Sequence, residues 1–171
     1  MTHAFHVFRM STAGADGIDE TSSSSSSSGN HRALASRRTR ALVIDDSDTA
    51  RAGVARILRL GGCQVHELPS AIGASRLALR ENIELAVVDI SMPGLSGDKL
   101  IQVFRNNARL KSMVIIIVSG QSAEELASVA QDGLADAVLP KSQIHDDLIP
   151  LLQRLMPGRF PSAILPAGTG T

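Results

Sequence analysis

The chain has 171 residues, of which 43% are hydrophobic, so it can supply the core of one ordinary domain plus tails. Lys plus Arg and Asp plus Glu both total 17, so no overall charge favours nucleic acid or an anionic membrane as a partner. The single cysteine, Cys63, excludes an internal disulfide, and the longest apolar run, Met113–Val118, is too short to span a bilayer. We expect a cytoplasmic protein with no secretion signal.

Low-complexity composition marks both ends of the chain. Residues 1–38 include an uninterrupted serine run at 22–28 and little periodic hydrophobicity, which predicts a disordered arm. Residues 157–171 carry three prolines and are predicted to form a flexible tail, too short for an output domain. The folded domain is therefore predicted at residues 39–156.

Between these ends, short apolar runs alternate with segments of helical period. This alternation predicts an α/β fold in three layers, with five helices covering both faces of a five-stranded parallel sheet. The predicted strands are Ala41–Ile44, Gln64–Leu68, Leu85–Val88, Met113–Val118 and Ala137–Leu139. Apolar helical faces are formed by Val54, Ile57 and Leu58, by Leu100, Ile101 and Phe104, and by Leu126, Val129 and Ala130.

Local signals suggest where two of the helices begin and end. Asp48 is a candidate cap for the first helix, which Gly61 can terminate. If Asp147 caps the last helix, Pro150 falls in the first turn, where its missing N–H matters least. That helix is predicted to end near Leu155.

Polar residues follow four of the predicted strands. Asp45 and Asp46 follow the first, Asp89 the third, Ser119 the fourth and, after a proline, Lys141 the fifth. Ligands of open parallel sheets bind beyond the carboxyl ends of the strands, so these side chains are expected to converge. Each could singly be a helix cap or a solvated charge, but converging carboxylates repel one another unless a cation neutralises them. Oxygen ligands without nearby His or Cys suit Mg²⁺.

The same residues predict phosphoryl transfer. A carboxylate can attack a phosphoryl group to give an acyl phosphate when a cation removes the charge repulsion, and Asp89 is the central carboxylate of the set. Lys141 and the hydroxyl of Ser119 are then placed to hold phosphoryl oxygens.

Four sequence segments together resemble the receiver domain of two-component response regulators. They are the acidic pair within residues 44–46, the segment DISMPGLSG at 89–97, the Ser-Gly pair at 119–120, and Lys141. The resemblance covers roughly residues 40–156. It implies a flavodoxin-like sheet in the order 2-1-3-4-5, an order that belongs to the family's known fold.

The resemblance also implies roles and partners. A histidine kinase or histidine phosphotransferase would donate the phosphoryl group to Asp89. The receiver itself would catalyse only this transfer and its own dephosphorylation, so no separate enzyme activity is expected. Asp46 and Asp89 would bind Mg²⁺ directly, Asp45 largely through water, and the Ser91 carbonyl would complete the protein ligands. The signal would pass in trans to a downstream protein, or the phosphoryl group would be relayed.

Two positions depart from the family pattern. Val138 stands where an aromatic residue is usual, so the usual aromatic movement on phosphorylation is not available. Ser142 follows Lys141 where a proline joined by a cis bond is common, and a cis bond without proline is costly, so none is expected here.

Two alternatives remain open at this point. A pseudo-receiver would keep the fold and act only as a binding module, which the substitutions at residues 138 and 142 permit. A haloacid-dehalogenase-like phosphatase also uses an aspartyl phosphate and Mg²⁺, and Asp46 and Asp48 have its acid spacing, but Ala50 stands where that family has Thr or Val.

The surface that receives the histidine donor is expected around Asp89. By analogy with the family it would draw on the first helix, near Asp48, Thr49, Ala52 and Val54.

Overall fold

The structure is a computed structural model that describes residues 38–92, 97–120 and 134–160. The strands are β1 Arg40–Ile44, β2 Gln64–Leu68, β3 Leu85–Asp89, β4 Val114–Ser119 and β5 Ala137–Pro140. The helices are α1 Asp48–Leu60, α2 Ala74–Glu81, α3 Gly97–Asn106 and α4 Ile144–Leu155, and a 3₁₀ turn at Lys141–Gln143 leads into α4. The helix predicted around Leu126, residues 1–37 of the predicted arm and residues 161–171 of the predicted tail lie outside the described residues.

All strands pair in parallel, in the order β2-β1-β3-β4-β5, which confirms the predicted flavodoxin-like fold. The register brings the carboxyl ends of the strands to one edge. Ile44 lies opposite both Leu68 and Val88, Asp89 opposite Val118, and Ser119 opposite Pro140. Residues at the ends of β1, β3, β4 and β5 therefore meet at this edge.

The sheet is apolar on both faces because each face is covered by helices. Val43 and Leu58 lie in the core between the sheet and the pair α1 and α4, whereas Leu42 and Phe104 lie in the core beneath α2 and α3. Phe160 is 5% exposed and belongs to the first core, so packing continues beyond residue 156, where the predicted domain ended.

The start of α1 differs from the sequence prediction. Ser47, and not Asp48, is the N-cap, because the Ser47 side chain accepts a hydrogen bond from the Ala50 backbone N–H at 3.4 Å. Asp48 is the first helical residue, where its charge still suits the positive end of the helix dipole. Gly61 ends the helix as predicted, with its N–H bonded to the Ile57 carbonyl at 2.9 Å.

The prediction for the last helix was wrong at its start. The helix begins at Ile144 after the 3₁₀ turn, so Pro150 lies inside it and not in its first turn. Proline removes the bond to the Asp146 carbonyl, but both residues are exposed, so water can satisfy that carbonyl. Leu155 ends the helix as predicted.

The bond between Lys141 and Ser142 is trans, as the absence of a proline suggested. Within the described ranges, no helix has both the length and the apolar character needed to cross a lipid bilayer.

Candidate functional site

Three aspartates converge at the carboxyl edge of the sheet. Asp45 follows β1 and is 1% exposed, Asp89 ends β3 and is 2% exposed, and Asp46 is exposed to solvent. One carboxylate oxygen from each lies within 4.8 Å of the others. A single cation placed among them could contact all three carboxylates.

Lys141 provides the positive charge at this cluster. It follows β5 directly, and its Nζ lies 2.7 Å from Oδ2 of Asp45 and 2.7 Å from Oδ2 of Asp89. Partial burial by itself lowers the pKa of Lys141, but the hydrogen bonds to Asp45 and Asp89 and their charges outweigh it and raise the pKa above its usual value. Lys141 is therefore protonated at neutral pH and neutralises one of the three carboxylates when all are ionised.

Backbone amides orient the two buried carboxylates. The N–H of Ser47 donates to Oδ1 of Asp45 at 2.9 Å, and the N–H of Ser91 donates to Oδ1 of Asp89 at 2.9 Å. Each donor lies two residues after its aspartate, so tight turns at the ends of β1 and β3 create both contacts. In each carboxylate one oxygen is held by the backbone and the other faces Lys141.

Ser119 lies beside this cluster at the end of β4. Its side chain is fully buried, and its Oγ lies 3.5 Å from Oγ of Ser91. Gly120 follows, and a Cβ added there would meet no atom within 4 Å. The Ser119 hydroxyl therefore lies next to Ser91, whose N–H binds Asp89.

The residues present fit a hard divalent cation. Oδ2 of Asp45 is buried, and Lys141, at 2.7 Å, is the cation it pairs with, so a lone pair of this oxygen is left for another ligand. All candidate ligand atoms are oxygens, and neither His nor Cys belongs to the cluster among the described residues. This donor set suits Mg²⁺ and disfavours zinc.

Residues 41–153 match the family model described as the response regulator receiver domain. This chain belongs to the response regulator receiver family. Receiver domains interact with histidine kinases or phosphotransfer proteins, and their acidic cluster binds Mg²⁺. Membership in this family leaves no support for the phosphatase alternative.

Curated relatives agree with the assignment to receivers. The receiver is 28% identical over 109 residues to "Two-component response regulator ORR6" of Oryza sativa subsp. japonica, a match that covers 61% of this chain and 64% of the relative. It is 26% identical to "Chemotaxis protein CheY-3" of Vibrio cholerae, over 60% of this chain and 80% of the relative. The match to a cyclic di-GMP phosphodiesterase of Thermotoga maritima covers only 26% of that protein. The chain thus spans less than two thirds of the length of several relatives.

A solved structure also matches this receiver. The response regulator TrrA of Thermotoga maritima, in complex with Mg(2+)-BeF, is 26% identical, with a TM-score of 0.62 over 69% of this chain and 99% of that one.

The structure brings all predicted site residues together: Asp45, Asp46, Asp89, Ser91, Ser119 and Lys141. The docking surface stays a prediction for Asp48, Thr49 and Ala52, which are exposed, but Val54 is 3% exposed and packs in the core. Val54 is thus a core residue and not a docking residue.

Sequence analysis missed Arg51, whose guanidinium donates to the Asp45 carbonyl at 2.8 Å and pairs with Asp48. The only sequence signal for this arginine was an acid three residues earlier on the same helix, a spacing that favours helical ion pairs.

Proposed function

We propose that this receiver accepts a phosphoryl group on Asp89 from a phosphohistidine donor, in a reaction that depends on Mg²⁺. The observation that carries the proposal is the position of the Asp89 carboxylate. It is almost fully buried, is fixed by the Ser91 N–H and by Lys141, and shares a cluster with two further carboxylates. Asp89 is thus held as a fixed nucleophile at the edge where a donor can approach.

In the proposed reaction a carboxylate oxygen of Asp89 forms a bond to phosphorus, and the bond from phosphorus to the donor imidazole nitrogen breaks. The imidazole leaves with the electron pair of that bond. Lys141 is already 2.7 Å from Asp89, so a small movement lets its ammonium bind an oxygen of the transferred group. The Ser119 hydroxyl lies 3.5 Å from Oγ of Ser91, beside Asp89 in the sheet edge, and is proposed to donate to another phosphoryl oxygen.

Asp45, Asp46 and Asp89 are the side chains proposed to hold Mg²⁺, with the Ser91 carbonyl as a further ligand. When bound, the ion supplies positive charge that offsets repulsion between the carboxylates and the incoming phosphoryl oxygens. Without it, Lys141 alone opposes three acids, so transfer is expected to be slow.

We further propose that the phosphorylated receiver signals in trans to a protein target or relays its phosphoryl group, and that it has no other enzyme activity. The match to CheY-3, of which the chain covers 80%, supports the proposal that the signal passes in trans. Val138 is only partly buried and packs against the core beneath α2 and α3. Because Val138 has no ring that could move and is too small to fill the space that a moving ring vacates, we propose that the target reads a surface other than the one built around residue 138.

The transfer is tested with phosphoimidazole, whose P–N bond is the one broken in phosphohistidine. We expect the intact mass to rise by one phosphoryl group when Mg²⁺ is present and not when it is chelated. Asp89→Asn should abolish the gain, whereas Asp146→Asn, which removes an exposed acid from α4, should leave it unchanged.

Equal labelling of wild type and Asp89→Asn would refute the assignment of the acceptor. A wild-type chain that binds Mg²⁺ but gains no mass, from phosphoimidazole or from a phosphorylated histidine phosphotransferase, would instead support the pseudo-receiver alternative.

A further inference from the structure

Arg51 is an arginine of α1 whose side chain is only 14% exposed. Its Nη1 donates to the backbone carbonyl of Asp45 at 2.8 Å, its Nη2 pairs with Asp48, and its Nε lies 3.8 Å from Oε2 of Glu67. Glu67 in β2 is also held by Arg59 at 2.6 Å. One guanidinium therefore joins the end of β1, the first turn of α1 and the neighbouring strand β2.

The hydrogen bond from Arg51 to the Asp45 carbonyl restrains the backbone next to Asp46. It belongs to the planar peptide unit that joins Asp45 to Asp46, so fixing the carbonyl limits rotation of that whole unit. Rotation of the unit redirects the bond from Cα to Cβ of Asp46. The Asp46 carboxylate is exposed, and no hydrogen bond to it is present within the described ranges, so the direction of its Cα–Cβ bond, which the backbone sets, is the restraint on where it can reach.

We propose that Arg51 is a positioning residue for the acidic cluster. By holding the Asp45 carbonyl, it directs the Cα–Cβ bond of Asp46 so that the carboxylate stays within reach of Asp45 and Asp89, and so it pre-forms the cation site. This inference rests on the proposed function, in which the cluster holds Mg²⁺. Groups behind the direct ligands commonly act in this way, because they fix ligands that would otherwise rotate.

Positioning and plain electrostatics predict opposite results at this residue. Arg51 carries a positive charge next to a site for a cation, so by Coulomb's law its removal should strengthen Mg²⁺ binding. If instead its main effect is to orient the Asp45–Asp46 peptide, removal should weaken binding. The sign of the change in affinity therefore separates the two roles.

The experiment is a calorimetric titration of the full chain with MgCl₂. Arg51→Met should raise the Mg²⁺ Kd by about tenfold, the lower end of the range for residues behind metal ligands. Arg51→Lys keeps the charge but not the forked donors, so it should also raise the Kd. The matched control is Arg56→Met, which removes an exposed arginine from the same helix and should leave the Kd within about twofold.

NMR relaxation of the Asp46 backbone amide without Mg²⁺ gives a second measurement. We expect larger backbone motion in Arg51→Met than in wild type or Arg56→Met, because the peptide unit is released. An unchanged or lower Kd in a folded Arg51→Met would overturn the positioning role. If that variant does not fold, Arg51→Lys decides, and a wild-type Kd there would overturn it.

The two proposals fail in distinguishable ways. A wild-type chain that binds no Mg²⁺ would overturn the Mg²⁺ site of the proposed function and this inference with it. A wild-type chain that binds Mg²⁺ and is phosphorylated, with no weakening in either Arg51 variant, would overturn this inference alone.

Discussion

Lys141→Met tests how far the ammonium group of Lys141 stabilises the cluster of Asp45, Asp46 and Asp89. The substitution keeps most of the apolar stem but removes the ammonium that lies 2.7 Å from both Asp45 and Asp89. The side chains of these aspartates are 1% and 3% exposed, so the variant would leave two buried carboxylates without their cation. Breaking a fully buried pair costs about 3–5 kcal/mol, and because Lys141 is 26% exposed we expect about 2–3 kcal/mol.

The measurement is urea denaturation followed by circular dichroism at pH 7, with and without Mg²⁺. Without Mg²⁺ the free energy of unfolding of Lys141→Met should be about 2–3 kcal/mol lower than that of the wild type. Mg²⁺ should stabilise Lys141→Met more than wild type, because the ion no longer competes with an ammonium for the same carboxylates. Lys99→Met, which removes an exposed lysine from α3, is the control and should change stability by less than about 0.5 kcal/mol.

The contribution of Lys141 should also depend on pH. Its pKa in the folded chain is raised above the ordinary value of 10.5, so the stabilisation is fully present below pH 10.5 and is lost as the pH rises through the folded pKa. The difference in stability between wild type and Lys141→Met should therefore shrink above pH 10.5. Equal stabilities at pH 7, or a difference that grows in alkali, would refute the reasoning.

Three further predictions concern residues away from the acceptor site. Arg105→Met should lower the free energy of unfolding by about 3 kcal/mol, since the guanidinium donates to the carbonyls of Leu134 at 2.6 Å and Met113 at 2.7 Å. The control is Arg109→Met, which removes an exposed arginine, and equal urea midpoints for the two variants would contradict the prediction. Phe160→Ala should lower the free energy of unfolding, measured by urea denaturation, by about 3 kcal/mol. A loss below about 1 kcal/mol would show that Phe160 adds little to the core. Burial, and secondarily the charge of Glu84, raises the pKa of Cys63 to about 11, so iodoacetamide should label the thiol only after unfolding, and fast native labelling would refute its burial.

Several features of the fold could be predicted because short-range patterns determine them. The apolar runs are buried on both faces, and runs of that kind are typical of central parallel strands, as the burial of every residue in Leu85–Asp89 shows. Gly61 ended α1 as predicted for a similar reason, since it lies directly after the last periodic apolar residues.

Helix starts were harder to predict. Ser47 and Asp48 are both good capping residues, and the choice depends on where the chain turns after Asp45, whose carboxylate accepts the Ser47 N–H. Pro150 was placed in a first turn because proline disfavours helix interiors. The structure tolerates it inside α4 because it lies on the exposed side, where water can reach the released carbonyl.

By itself, the sequence determined which residues meet at the carboxyl edge of the sheet. Asp45, Asp89, Ser119 and Lys141 lie at or just beyond the ends of four strands, and a parallel sheet brings such residues together whatever the details of packing. Only the tertiary structure decided how these side chains are held. The pairing of Lys141 with two aspartates depends on distances between segments that are far apart in the chain. The hydrogen bond from Arg51 to the Asp45 carbonyl depends on the distance across the turn between β1 and α1. Sequence spacing does not specify such distances, because they follow from how helices and strands pack.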